Sequence, residues 1–151
     1  KPTVIDFRKY DMPLYNGDFE AVHGIPKPVK LWVNRLKSCD GVFISTPEYN
    51  GCIPPLLKNA IDWSSRTGLT HFQNPVYGIG AATPGALSGI MALRQLHFIL
   101  NRLGASVVPT QLGVGHASAA FGPDGRLKDG RSAELAQSLV RQMLETIDRR
   151  R

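Results

Sequence analysis

Between Pro47 and Gly51 the sequence places a carboxylate, a phenol and an amide side by side, as Glu48, Tyr49 and Asn50, within the stretch STPEYNGCIPPLLKNAIDW that runs from Ser45 to Trp63. Pro47 denies a backbone donor to the apolar run before it. Gly51 permits a left-handed turn or a close backbone approach, and Pro54-Pro55 opens a helix where a missing N–H costs little. Such a loop turns backbone donors and acceptors outward, and a flat heteroaromatic ring with polar groups along one edge is the ligand that would match it. A plain strand-to-helix turn uses the same residue types. Further along, Pro84-Gly85 makes a tight turn that exposes backbone N–H groups near a helix start, with Thr83 just before it, a setting suited to an electron-rich ring edge. Glu48 is placed for positioning rather than for catalysis, and the sequence offers no acid–base triad to join it.

Other chemistry-bearing residues are dispersed. His23, His71, His97 and His116 fall at no ligand spacing, and Cys39 and Cys52 form no Cys-x-x-Cys motif, so no metal site is expected. Gly78-Ile79-Gly80 lacks the third glycine of a dinucleotide fingerprint and lies inside an apolar run, so it is set aside.

The elements that must hold these loops follow from apolar spacing. Val29, Trp32, Val33 and Leu36 make one helical stripe; Leu56, Leu57, Ala60 and Ile61 a second; Leu96, Ile99, Leu100 and Leu103 a third; Leu135, Leu139, Met143 and Leu144 a fourth, widened by Ala136, Val140 and Ile147. Between them lie apolar runs at 3–7, 41–46, 75–82 and 105–109 with no polar alternation, as expected of strands buried on both faces. Alternating strands and helices with right-handed crossovers predict an α/β domain, a doubly wound parallel sheet in three α/β/α layers. Its ligands would bind beyond the carboxyl ends of the strands, where both loops fall. Residues 9–28 are expected to be a long polar loop, and the Pro-Asp-Gly turn between Phe121 and Leu127 to close a small hairpin.

At 151 residues and 42% hydrophobic, the whole sequence, 1–151, is expected to form a single domain with a sizeable core. No apolar run approaches the roughly 20 residues of a bilayer span, and two unpaired cysteines suit a reducing cytoplasm. The net charge of +6 would favour an anionic partner such as a phosphorylated cofactor. No basic stripe interleaved with aromatics points to nucleic acid.

The segment Thr46–Trp63 closely resembles the flavin-contact segment of the NADPH-dependent FMN reductases, the flavodoxin-like group that includes quinone, chromate and azo-dye reductases. A second resemblance lies at AATPGALSGIMALRQL, Ala81–Leu96. The resemblance implies a flavodoxin-like fold with FMN as cofactor and NADPH or NADH as hydride donor. It places Pro47, Glu48, Tyr49, Asn50 and Gly51 along the flavin ring, with Thr83 and Gly85 bordering it from the other side. It further implies a small-molecule electron acceptor and a homodimer or homotetramer paired through helices near 54–66 and 87–103. The match runs from Thr3 to about Ile147, with residues 3–7 similar to the family's second strand. The family's phosphate loop, rich in Gly, Ser and Arg, has no counterpart, so an N-terminal β-α unit is expected to be missing. Two other functions fit the same resemblance less well: a flavodoxin-type carrier of single electrons, and a cofactor-free interaction module.

Overall fold

The computed structural model describes residues 2–151. Its sheet contains β1 (Gly41–Thr46), β2 (Val76–Ala82), β3 (Ser106–Val107) and β4 (Leu112–Val114). All pairings are parallel, with Gly41 to Thr46 in register with Val76 to Ala81. Gly80 and Ala81 pair with β1 on one side and with β4 on the other, so β3 and β4 share the far edge of β2. They are two pieces of one strand, interrupted near Pro109, whose missing N–H cannot continue the ladder. β1 hydrogen-bonds to β2 only, leaving its outer edge without a strand partner among the described residues.

The helices are α1 (Gly17–His23), α2 (Lys27–Lys37), α3 (Pro55–Ser65), α4 (Thr70–Gln73), α5 (Ile90–Arg102), α6 (Ala117–Ala120) and α7 (Gly130–Asp148). Alternate residues of β2 divide the core between the two faces of the sheet. Tyr77, Ile79 and Ala81 pack with Ile53, Ile61, Phe72 and the α5 residues Ala92, Leu93, Leu96 and Leu100. Val76 packs with Val108 and Leu139, backed by Leu112, Met143 and Ile147. The result is the expected three-layer α/β/α arrangement.

Gly78 and Gly80 belong to this packing. A Cβ on Gly78 would lie 2.5 Å from Sδ of Met143 and 2.8 Å from Cδ2 of Leu139, and one on Gly80 would lie 2.8 Å from Cζ of Phe43. Each is a glycine because α7 and the Phe43 ring close directly over the sheet backbone.

The structure corrects two expectations on the N-terminal side. Residues 3–7 form no strand: the chain is irregular up to a 3-10 turn at Phe7–Lys9, and Val4 is fully exposed. Asp6 accepts a hydrogen bond from the Arg8 backbone at 3.1 Å and pairs with its guanidinium at 2.9 Å, which favours the turn. Phe7 and Tyr10 then stack edge-on against Trp32, with centroids 4.9 and 5.2 Å away. Apolar character there serves an aromatic cluster on α2, not a sheet.

Residues 9–28, expected to be loop throughout, contain α1, whose start is capped by Asn16 accepting from the backbone of Asp18 and Phe19. Asn59 and Trp63 of α3 hold the segment before it. Asn59 accepts from Tyr15 N at 2.8 Å and donates to the Pro13 carbonyl at 3.0 Å, and Trp63 Nε1 donates to the same carbonyl at 2.7 Å. The hairpin between Phe121 and Leu127 is present as an antiparallel bridge.

Candidate functional site

The register Thr46 to Ala81 brings the carboxyl ends of β1 and β2 side by side, so the loops that begin at Pro47 and Thr83 leave the same edge of the sheet as neighbours. The first folds back at once. Tyr49 N donates to the Cys52 carbonyl at 2.9 Å and Cys52 N donates to the Tyr49 carbonyl at 3.0 Å. Asn50 at φ 52° and Gly51 at φ 75° occupy the two central positions, the left-handed pair that a type I′ hairpin turn requires. The need for positive φ at Gly51 was legible in the sequence. The closed hairpin was not, although the Asn-Gly pair is its standard signal.

Pro47, Tyr49 and Asn50 are exposed at the tip, whereas Glu48 turns inward. Its Oε2 accepts from Met91 N and from Ala92 N, each at 3.0 Å, at the start of α5. Gln95, farther along α5, accepts from Ile53 N at 3.0 Å through Oε1, and its Nε2 donates to the Cys52 Sγ at 3.3 Å. Neither contact with α5 was anticipated, because residues about forty apart carry no local signal.

The second loop is anchored as firmly. Thr83 is buried; its N donates to the Val114 carbonyl at 2.9 Å, its carbonyl accepts from Ala117 N at 3.0 Å, and its hydroxyl donates to the Gly85 carbonyl at 3.3 Å. That Gly85 carbonyl also accepts from His116 N at 3.3 Å. Residues 115–117 thus form a third wall that the sequence reading missed. Its signals are Gly115, where a Cβ would come within 2.8 Å of the Ser88 Oγ and 3.0 Å of the Gly85 carbonyl, and His116, held at φ 47°.

Gly51 and Gly85 face open space: a Cβ on either would meet no protein atom within 4 Å. Backbone without side chains, beside exposed Tyr49, is what a planar ring needs for close approach. Tyr49, Asn50, Gly51 and Gly85 thus leave their side of the two loops open to a planar guest, whereas Thr83 and Glu48 are turned to backbone partners of their own. A shallow surface groove of about 540 Å³ lies elsewhere, along α7 at Ala136, Val140 and Leu144.

A family profile described as NADPH-dependent FMN reductase matches residues 1–119. The chain belongs to that family. An NAD(P)H-dependent FMN reductase of Pseudomonas aeruginosa is 35% identical over 131 residues, covering 83% of this chain and 68% of its own length. A quinone reductase of Escherichia coli strain K12 is 37% identical over 98 residues, 65% of this chain and 52% of the relative. Among solved structures, the flavoenzyme NAD(P)H:(acceptor) oxidoreductase FerB from Paracoccus denitrificans superposes with a TM-score of 0.76 at 30% identity, covering 92% of this chain and 76% of that one. The chain thus spans about half to three quarters of the length of these FMN reductase relatives. No helix among the described residues is long and apolar enough to cross a membrane.

Proposed function

We propose that this chain carries the ring-binding part of an FMN-dependent NAD(P)H oxidoreductase that delivers electrons to a small acceptor such as a quinone, a flavin, an azo compound or a metal oxyanion. One observation carries the proposal: a left-handed Asn-Gly hairpin and a glycine-bearing loop stand side by side at the carboxyl edge of a parallel sheet, both with their backbones open to a planar guest. When bound, FMN would accept hydride from the nicotinamide and release the electrons to the acceptor, carrying the chemistry itself. What the chain supplies is placement. Asn50 and Gly51 present backbone at the rim, Gly85 leaves room for the ring, and exposed Tyr49 offers an aromatic wall. The Pro47 ring caps the end of β1.

No resident acid or base is required of such a site, and Glu48, with its carboxylate on α5, is assigned none. An acceptor that stacks on an open ring is selected loosely, which suits the range of acceptors named among the relatives.

The functional unit is a homodimer or homotetramer in the cytoplasm. Leu56 on α3 and Ile90, Met91 and Phe98 on α5 are exposed apolar residues on the two helices proposed to pair, and Cys39 and Cys52 are free thiols. The testing experiment is the addition of FMN and then NADPH or NADH, with a quinone as acceptor. A yellow protein that is bleached by the nucleotide and recovers with quinone supports the reductase. A yellow protein indifferent to the nucleotide identifies the electron carrier, and one that ignores FMN identifies the cofactor-free module.

A further inference from the structure

We propose that Glu48 is a positioning residue that fixes the two ring-bordering loops relative to each other by holding the start of α5, with Gln95 as a second hold on the same loop. The proposal rests on the flavin reading for what the loops border, but its mechanical content does not.

α5 starts without a cap of its own. It follows Gly89 in the left-handed region, and no neighbouring side chain accepts its first amides. Unpaired first-turn N–H groups at the positive end of a helix call for an acceptor, and a carboxylate is the best one. Glu48 supplies it from the other loop: a single oxygen accepts from Met91 N and Ala92 N, 43 and 44 residues away, each at 3.0 Å.

The helix start is itself fixed. A Cβ on Gly89 would sit 2.5 Å from Cβ of Ala81, so the first turn of α5 lies directly on the end of β2. Whatever grips that turn is therefore gripped against the sheet. Gln95 grips one turn farther along, through the Ile53 amide and the Cys52 sulfur.

The Tyr49–Cys52 hairpin stands between these two holds, Glu48 before it and Cys52–Ile53 closing it. A hairpin anchored at both ends keeps its exposed backbone in one arrangement, and preorganisation of this kind lowers the ordering cost of binding a planar ligand. Glu48 acts through α5 in this account, and its oxygen is turned away from the tip that Tyr49 and Asn50 present.

Three variants of the full chain test the idea: Glu48→Ala, Glu48→Gln and, as a control on the opposite face of the sheet, Leu139→Ala. Amide hydrogen exchange is read first, without flavin. Glu48→Ala is expected to speed exchange at Met91, at Ala92 and through residues 49–53, whereas Glu48→Gln, whose amide oxygen accepts the same two bonds, leaves them protected. FMN titration by fluorescence quenching is read second. Loss of two hydrogen bonds to a charged group predicts an FMN dissociation constant raised ~10-fold in Glu48→Ala, restored to within ~3-fold in Glu48→Gln and unchanged in Leu139→Ala. Unaltered exchange at 49–53 in Glu48→Ala overturns the proposal. So does a Glu48→Gln variant as impaired as Glu48→Ala, because the hold would then not be what matters. If the unmodified chain itself ignores FMN, the flavin reading fails, and exchange alone then decides for or against the hold.

Discussion

Gly85→Ala separates the cost of a side chain to the fold from its cost to a guest. A Cβ there meets no protein atom within 4 Å, and Gly85 is not among the residues with positive φ. The added methyl group therefore costs the empty fold nothing, and a chain with one less glycine gains stability of about 0.5 kcal/mol because its unfolded state is less free. A planar ring seated against Gly85 meets that methyl group directly. Overfilling a close contact costs roughly 1–3 kcal/mol, which corresponds to a flavin dissociation constant raised about 5- to 150-fold. Urea denaturation of the flavin-free protein and fluorescence titration with FMN measure the two effects on the same sample. Gly51→Ala is the contrast: the space is equally open, but φ is 75°, so the empty fold itself loses roughly 1–2 kcal/mol. A Gly85→Ala protein that binds FMN as tightly as its parent, or that unfolds more easily, would refute the placement of the ring.

Acid should weaken the fold through His71. The imidazole is fully buried with no hydrogen-bond partner for either nitrogen among the described residues, and burial, aided by the charge of Lys37, pushes its pKa from 6.5 down to about 4. The unfolded chain binds the extra proton between those values, so this contribution is complete above pH 6.5 and is lost as the pH falls toward 4. The loss is about 2 kcal/mol at pH 5. Urea midpoints at pH 7 and pH 5 measure it, and His71→Phe should flatten the difference. Leu139→Ala, in the α7 core against Val76, should cost about 2–5 kcal/mol by the same assay without altering FMN affinity. Asn59→Ala leaves the Tyr15 amide without its acceptor and the Pro13 carbonyl with Trp63 alone; a loss of about 1–3 kcal/mol and faster proteolysis of residues 9–16 are expected.

The legible parts of the fold were those whose burial is decided by nearest neighbours in sequence. β2 is apolar on both faces because it lies between two helical layers, and α5 and α7 show their stripes because each packs one face on the sheet. The run at 3–7 misled because apolar content alone does not make a strand. A ladder partner is also needed, and here Phe7 and Tyr10 found Trp32 instead. The far edge of the sheet was read as one short run, since its second piece, β4, follows Pro109 and carries only three residues. α1 was hidden in a polar stretch by its length, although Asn16 and the acidic residues behind it mark its start.

At the site, the identity of the two loops was available from residue types, because turns are encoded by Pro, Gly and Asn at short range. The partners of those loops were not. The Glu48 carboxylate reaches the first turn of α5, and the Thr83 hydroxyl bonds the Gly85 carbonyl, contacts that residue types do not announce. Both outcomes follow from the demand that buried donors and acceptors be satisfied, a demand that only the assembled backbone makes visible.

The outer side of β1 has a practical consequence. Among the described residues, the six residues of β1 run along that side without a ladder, while the half-exposed Phe43 ring lies the other way, over Gly78 and Gly80 of β2. Such a rim is a template on which any other extended polypeptide can zip, including a second molecule of the same kind, so concentrated stocks will tend to thicken and deposit.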